Sequence, residues 1–308
     1  MTTSKATLKT VVRGMYDLQK LRIQMGNRVV GNFKVKLGQE PSTNEKELSA
    51  EAKLLLIKLR ASYKKITDGV KDLPTRTKFV GDGVIDTYSE LQLMDGLITL
   101  EKAEARQVHH IGTMLKDFPI WTDFMEGIRG IGPMMAGVII SEIDIAKARH
   151  PSSLWAYCGV DVAGDGAGRS KKEAHLVECK YTNKAGEGKT RMGITFNPFV
   201  KTKLVGVLMG SFIKAGNNKY AEIYYAYKNR LENHAVYGTA NDEARKEASE
   251  GKYAPVGHRH NMAARYAIKM FLIDLYAAWR AMEGLPVSLP YHEAKLALAH
   301  GQQATVNS

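Results

Sequence analysis

Three glycines and a proline set between two apolar runs restrict this chain more than any other feature. From Phe124 to Ile143 it reads Phe-Met-Glu-Gly-Ile-Arg-Gly-Ile-Gly-Pro-Met-Met-Ala-Gly-Val-Ile-Ile-Ser-Glu-Ile. One apolar run ends at Gly127, a tight turn holds Gly130 and Gly132, and Pro133 opens a second apolar helix. Glycine reaches the backbone angles such a turn needs and lets a second backbone come close. Proline in the first helical position loses no hydrogen bond, because that amide has no intrahelical partner. Helix, Gly-Ile-Gly hairpin, helix is the expected order, with Ile128, Ile131, Val138 and Ile139 as core residues.

The first amides of a helix opened in this way point outward and form a seat for an anion such as a backbone phosphate. The stretch resembles the helix-hairpin-helix element of many DNA-binding proteins. Without that role it is an ordinary turn between core helices. Charge favours the phosphate reading, since the chain carries a formal net charge of +12 and a pI near 9.5. Such an excess selects a polyanionic partner through counterion release, with nucleic acid as the first candidate. A membrane surface is the rival polyanion. No apolar run approaches the length of a bilayer span, and no basic amphipathic helix carries an aromatic docking face. The start, Met-Thr-Thr-Ser-Lys-Ala-Thr-Leu-Lys, lacks the apolar core of a secretory signal. Cys158 and Cys179 alone make neither a disulfide framework nor a zinc set, so the expectation is a cytoplasmic protein without metal or cofactor.

Helical patterns fill most of the remaining chain. Residues 1–41 form a basic N-terminal arm, with Lys5, Lys9, Arg13, Lys20, Arg22, Arg28, Lys34 and Lys36 against little more than Asp17 and Glu40. Val12, Met15, Leu18, Leu21 and Ile23 recur there at near-helical spacing, and the arm is either a phosphate-binding element or a solvated helix face. Residues 42–118 read as a helical hairpin, two antiparallel helices, or as a coiled coil with another subunit. A capping-box pattern of Ser42 and Glu45 opens it, and helices are expected over about 47–66 and 85–116. Residues 119–295 form the third region. They contain the hairpin, a helix ending at Gly159, a weak strand pair over 175–181 and 190–196, and helices over 198–214, 220–231 and 261–282. Residues 296–308 read as a flexible tail. The fold class is mainly α, a long-helix hairpin followed by a helical domain with a small β ribbon.

Few motifs carry chemistry. Gly188-Lys189-Thr190 suggests a phosphate loop, but Asn183 stands where that loop needs a glycine, and Gly193 and Pro198 follow where it needs a helix. His258 and His260, two residues apart, do not share a helix face and have no Cys or acidic partner at metal-site spacing. The tyrosines of 220–231 are spaced for packing more than for base stacking. Ser170 lies in a glycine-rich basic loop with no base evident in the sequence. Arg169, Lys171 and Lys172 supply a cationic setting that suits a nucleophile acting on phosphate.

In order, the pieces from Phe124 to about Pro286 resemble the C-terminal transposase domain of the insertion-sequence one-ten, one-sixteen and nine-oh-two family, related to the Piv-type DNA invertases. The matching pieces are Gly127 to Glu142, Leu154-Trp155-Ala156-Tyr157-Cys158-Gly159-Val160, and Gly188-Lys189-Thr190-Arg191-Met192-Gly193-Ile194, followed by the three later helices. The resemblance implies a mostly helical DNA-handling domain preceded by a helical hairpin for subunit pairing. Two departures accompany it. The family's RuvC-like N-terminal domain, whose acidic residues bind metal, has no strand-rich counterpart in this sequence. The family's nucleophilic serine falls at Gly186 in an ungapped match.

The expectation is a DNA-binding, transposase-like protein acting as a homodimer or larger assembly. Phosphate contacts fall to Arg129, Gly130 and Gly132 of the hairpin, to Arg169, Lys171, Lys172, Lys184, Lys189 and Arg191 of the basic loops, and to Lys201 and Lys203 of the following helix. One alternative is an active serine recombinase using Ser170, and another is an RNA-binding or structural assembly protein.

Overall fold

Helical periodicity governs the backbone, and the computed structural model describes residues 3–36, 50–70, 72–252 and 254–290. The helices are α1 (Lys5–Lys36), α2 (Ala50–Thr67), α3 (Tyr88–Leu115), α4 (Pro133–Glu142), α5 (Pro151–Tyr157), α6 (Pro198–Lys201), α7 (Met209–Ala215), α8 (Lys219–Glu232), α9 (Asp242–Ala248) and α10 (Pro255–Met282). Among the described residues the sheet is a single antiparallel ribbon of β1 (Val177–Thr182) and β2 (Gly188–Gly193), with Tyr181 opposite Lys189 and Cys179 opposite Arg191. The fold is mainly α with a small β ribbon. No helix among the described residues is long and apolar enough to cross a membrane. The chain divides into two units, Thr10–Thr113 and the combination of Met1–Lys9 with Met114–Ser308.

The smaller unit is a three-helix cluster. Val29, Val30 and Phe33 of α1 meet Leu56, Leu59 and Tyr63 of α2 and Leu91, Met94 and Leu97 of α3 in one core. The apolar stripe expected on α1 needs correction, since Val12 and Met15 are buried while Leu21 and Ile23 are about half exposed. A 3.6-residue period carries the buried face from Met15 through Gln19 and Arg22 to Val29, which turns Leu21 and Ile23 away. At the polar step Gln19 and Arg22 both donate to Glu104 of α3.

A capping box starts α3: the Thr87 hydroxyl accepts from the Glu90 amide at 3.2 Å, and Glu90 accepts from the Thr87 amide at 3.1 Å. The Ser42–Glu45 pattern lies outside the described residues.

In the larger unit α10 is the central helix. Ala263, Ala267, Phe271, Leu275 and Tyr276 are fully buried. Phe271 meets the rings of Phe212 and Tyr220 edge-on at 5.8 and 5.3 Å. The buried Arg280 holds α10 to the preceding chain, donating to the carbonyls of Ile145 at 3.0 Å and Ala148 at 2.7 Å. The helix expected over 198–214 is interrupted by a π-helical stretch, Thr202–Leu208, between α6 and α7. Asn197 caps its start, accepting from the amides of Phe199 and Val200 at 3.1 and 3.2 Å.

Candidate functional site

The hairpin runs from a π-helical turn, Trp121–Met125, to α4. Gly130 sits at φ 96°, in the region that favours glycine, and a Cβ there would meet Phe212 and the Ser211 backbone at 3.0–3.1 Å. Its bare backbone therefore serves close packing against α7. The carbonyl of Arg129 is held by the Asn218 side-chain amide, while the Arg129 side chain itself is exposed. A Cβ at Gly132 would face open space, and Pro133 begins α4 directly after it with no side-chain cap. The turn thus has one packed side and one open side, and the open side carries Gly132 and Arg129.

Beyond α4, the short helix α5 ends at Gly159, whose φ of 64° closes the helix. A loop from Asp161 to His175 follows, folded on itself by an isolated bridge between Val162 and Gly168. Arg169 donates from Nε and Nη2 to Asp161 Oδ2 at 3.1 and 2.7 Å, which ties the middle of the loop back to its start. Ser170 then comes beside His175, with Oγ 2.9 Å from Nδ1. The Ser170 amide also donates to Nδ1 at 3.0 Å, so Nδ1 is the acceptor and the ring proton sits on Nε2. Nε2 donates to Asp165 Oδ2 at 2.9 Å. That hydrogen bond from His175, helped by the Ala167 amide, holds the Asp165 carboxyl below the usual carboxylate range.

Serine, histidine and aspartate are therefore joined in one hydrogen-bonded chain, the arrangement that activates a hydroxyl nucleophile. The same contacts also order the loop, because Ser170 Oγ accepts from the Lys172 amide at 3.3 Å.

The other cations divide by exposure. Lys171, Lys172, Lys184, Lys189 and Arg191 are all exposed. Lys189 and Arg191 alternate along β2, so they share a face with Tyr181, whose ring lies 5.2 Å from the Arg191 guanidinium. Glu187 stands 3.4 Å from Lys189. Gly188-Lys189-Thr190 opens a strand, and no helix begins there. Lys201 and Lys203 are half-buried, and burial pushes both ammonium groups down from their ordinary value. Lys201 Nζ donates to the Arg169 carbonyl, so it supports the serine loop from below.

Residues 123–185 match the model of the family described as Transposase IS116/IS110/IS902. No curated protein matches the chain. The matched stretch begins in the π-helical turn and ends in the turn of the ribbon, so it contains the hairpin, the loop and the whole Ser170–His175–Asp165 chain. A transposase-like character for this segment follows from that match.

Sequence reasoning missed His175 and Asp165. The only signal was their even placement, each five residues from Ser170 inside a glycine-rich loop. Such spacing means little until the loop's own fold is known. It also missed how much of the N-terminal charge is neutralised: Lys9 pairs with Glu142 at 3.2 Å, and Lys36 with Asp86 at 2.7 Å and Glu90 at 3.2 Å.

Proposed function

We propose that this chain is a DNA-binding, transposase-like protein whose contact surface is the open side of the hairpin together with the exposed cations of the loop and ribbon. The supporting observation is the unequal charge of 169–191. That stretch has Arg169, Lys171, Lys172, Lys180, Lys184, Lys189 and Arg191 against Glu173, Glu178 and Glu187, and most of its cations are exposed. Arg129 and the Gly132 turn lie in the same matched segment and add a helix start facing solvent. Contacts of this kind position a duplex on its phosphates without reading its bases. Subunit pairing belongs to the same reading, supported by Leu54 and Ile57, which stand exposed three residues apart on α2. Exchanging Arg129 and Lys189 for Glu tests the surface: duplex affinity should fall at least a hundredfold with the fold retained, and unchanged affinity would refute it.

A second reading is favoured by the Ser170–His175–Asp165 chain, namely strand cleavage. Ser170 Oγ would attack a phosphodiester phosphorus and the P–O bond to the leaving strand would break. The serine would then carry the phosphate, and the freed oxygen would become a hydroxyl on taking a proton from water. His175 Nδ1 would receive the serine proton once its bond to the Ser170 amide opens, and Asp165 would stabilise the imidazolium. The measurement is a covalent protein–DNA adduct on supercoiled substrate, abolished in Ser170→Ala and shifted in pH dependence by Asp165→Asn. If no adduct forms, the hydrogen-bonded chain is a loop-ordering device and binding is the whole function.

A further inference from the structure

Behind the serine loop lies a cavity of about 300 Å³, lined by Gly168 on the loop, Tyr227 on α8, and Arg265, Tyr266 and Lys269 on α10, with Arg245 and Tyr237 at one side. Its electrostatics are one-sided. Both carboxylates in its wall are committed elsewhere, Asp161 to Arg169 and Asp165 to His175. Among the described residues, neither a carboxylate nor a carbonyl accepts a hydrogen bond from the Arg265 guanidinium or from Lys269 Nζ. Lys269 Nζ lies over the Trp155 ring at 5.2 Å. Burial pushes both groups down from their ordinary values. Asp161 offsets part of this for Lys269 through space without bonding it, and cations taken partly out of water with so little counter-charge cost stability, which an anionic ligand restores.

Two further features define the ligand. Gly168 leaves room for the guanidinium, since a Cβ there would lie 2.1 Å from Arg265 Nη1. The remaining wall mixes tyrosines with Val160, Val162, Met262 and His258: Tyr227 is stacked on Tyr266 with centroids 4.2 Å apart and carries Arg230 at 4.4 Å, and Tyr237 carries Arg245 over its ring at 4.9 Å. A planar fork of donors suits the oxygens of a phosphate, aromatic faces suit a base, and the volume lies at the small end of ligand pockets.

We propose that this cavity binds a single nucleotide, its phosphate on Arg265 and Lys269 and its base against the tyrosine wall. The occupant is either one nucleotide of a DNA strand or a free nucleotide. The inference rests on the nucleic-acid reading above but concerns a different surface from the hairpin and ribbon.

Calorimetric titration of the full chain with thymidine 5′-monophosphate, thymidine and inorganic phosphate tests the site. The monophosphate should bind more tightly than either fragment. Arg265→Gln should weaken it at least tenfold while leaving the melting temperature unchanged or raised, because the replaced cation has no hydrogen-bond acceptor among the described residues. Gly168→Ala, which displaces the guanidinium and keeps the charge, should weaken it similarly. Tyr266→Ala should reduce monophosphate binding and spare inorganic phosphate. No binding of the monophosphate to the unaltered chain, or equal binding to the Arg265→Gln variant, would overturn the proposal. Competition by a short single-stranded oligonucleotide assigns the site to strand nucleotides, and absence of competition assigns it to free ones; both retain it. The double exchange at Arg129 and Lys189 should leave monophosphate binding intact. Failure of the duplex surface and failure of the cavity are thereby read separately.

Discussion

At the scale of single residues, backbone geometry and ion pairing make different demands. Gly130 combines a positive φ with contact at 3.0–3.1 Å against Phe212 and the Ser211 backbone. Gly130→Ala adds both strain and overlap and should cost about 2 kcal/mol. Trp121, Trp155 and Trp279 all lie in the larger unit, so tryptophan fluorescence during denaturant unfolding reports that loss directly. Arg259 grips Asp242 with two bonds, Nη1 to Oδ1 at 2.6 Å and Nη2 to Oδ2 at 2.8 Å. These bonds lower the Asp242 pKa below its ordinary value. Because the folded value is depressed, the pair's contribution is complete above the unfolded value of about 3.9 and is lost as pH falls through the folded one. The stability difference between the unaltered chain and Asp242→Asn should be constant above about pH 5 and shrink in stronger acid. A difference that grew on acidification would contradict the assignment.

At the scale of elements, the caps decide where helices begin. Asn197 accepts from two amides of α6, and its Nδ2 donates to Glu142 at 3.2 Å and to the Tyr157 hydroxyl at 3.0 Å. It therefore joins the ends of α4 and α5 to the start of α6. Asn197→Ala should destabilise the larger unit by about 1–2 kcal/mol. Asn197→Ser keeps the cap and loses the cross-links, so an intermediate melting temperature separates the two contributions. The helix periods of α2, α3, α8 and α10 were legible because each keeps an apolar face over several turns. The capping box at Thr87 and Glu90 follows the same four-residue pattern as the one noticed at Ser42. Glu90 also accepts from the Asp86 amide and from Lys36, which comes from a helix about fifty residues earlier. In the ribbon, the strands expected over 175–181 and 190–196 lie at Val177–Thr182 and Gly188–Gly193, closer to the five-residue turn at Asn183 to Glu187 that fixes the register.

For the whole molecule, net charge sets the response to salt. If six exposed cations contact phosphates, duplex affinity should fall on the order of a thousandfold between 50 and 200 mM salt, with log K linear in log salt concentration. A flat response measured by fluorescence anisotropy would contradict the proposed surface. The charge available for this is smaller than composition suggests, because Lys9, Arg22 and Lys36 of the N-terminal helix are paired with Glu142, Glu104, Asp86 and Glu90 from later in the chain. The 169–191 loop and ribbon, where most of the cations are exposed, therefore carry more of the proposed response than the N-terminal helix.

The amino-acid order by itself determined the helical class, the Gly-Ile-Gly turn before Pro133, the ribbon and the ordered pieces that resemble a transposase domain. Those are local properties, set by periodicity, glycine and proline within a few residues. Tertiary structure alone decided that Gly130 is packed, that Lys201 supports a loop, and that Arg265 faces a cavity with no hydrogen-bond acceptor among the described residues. It also brought His175 and Asp165 to Ser170. Each of these depends on which distant or loop-borne group arrives alongside, and no local pattern encodes that arrival.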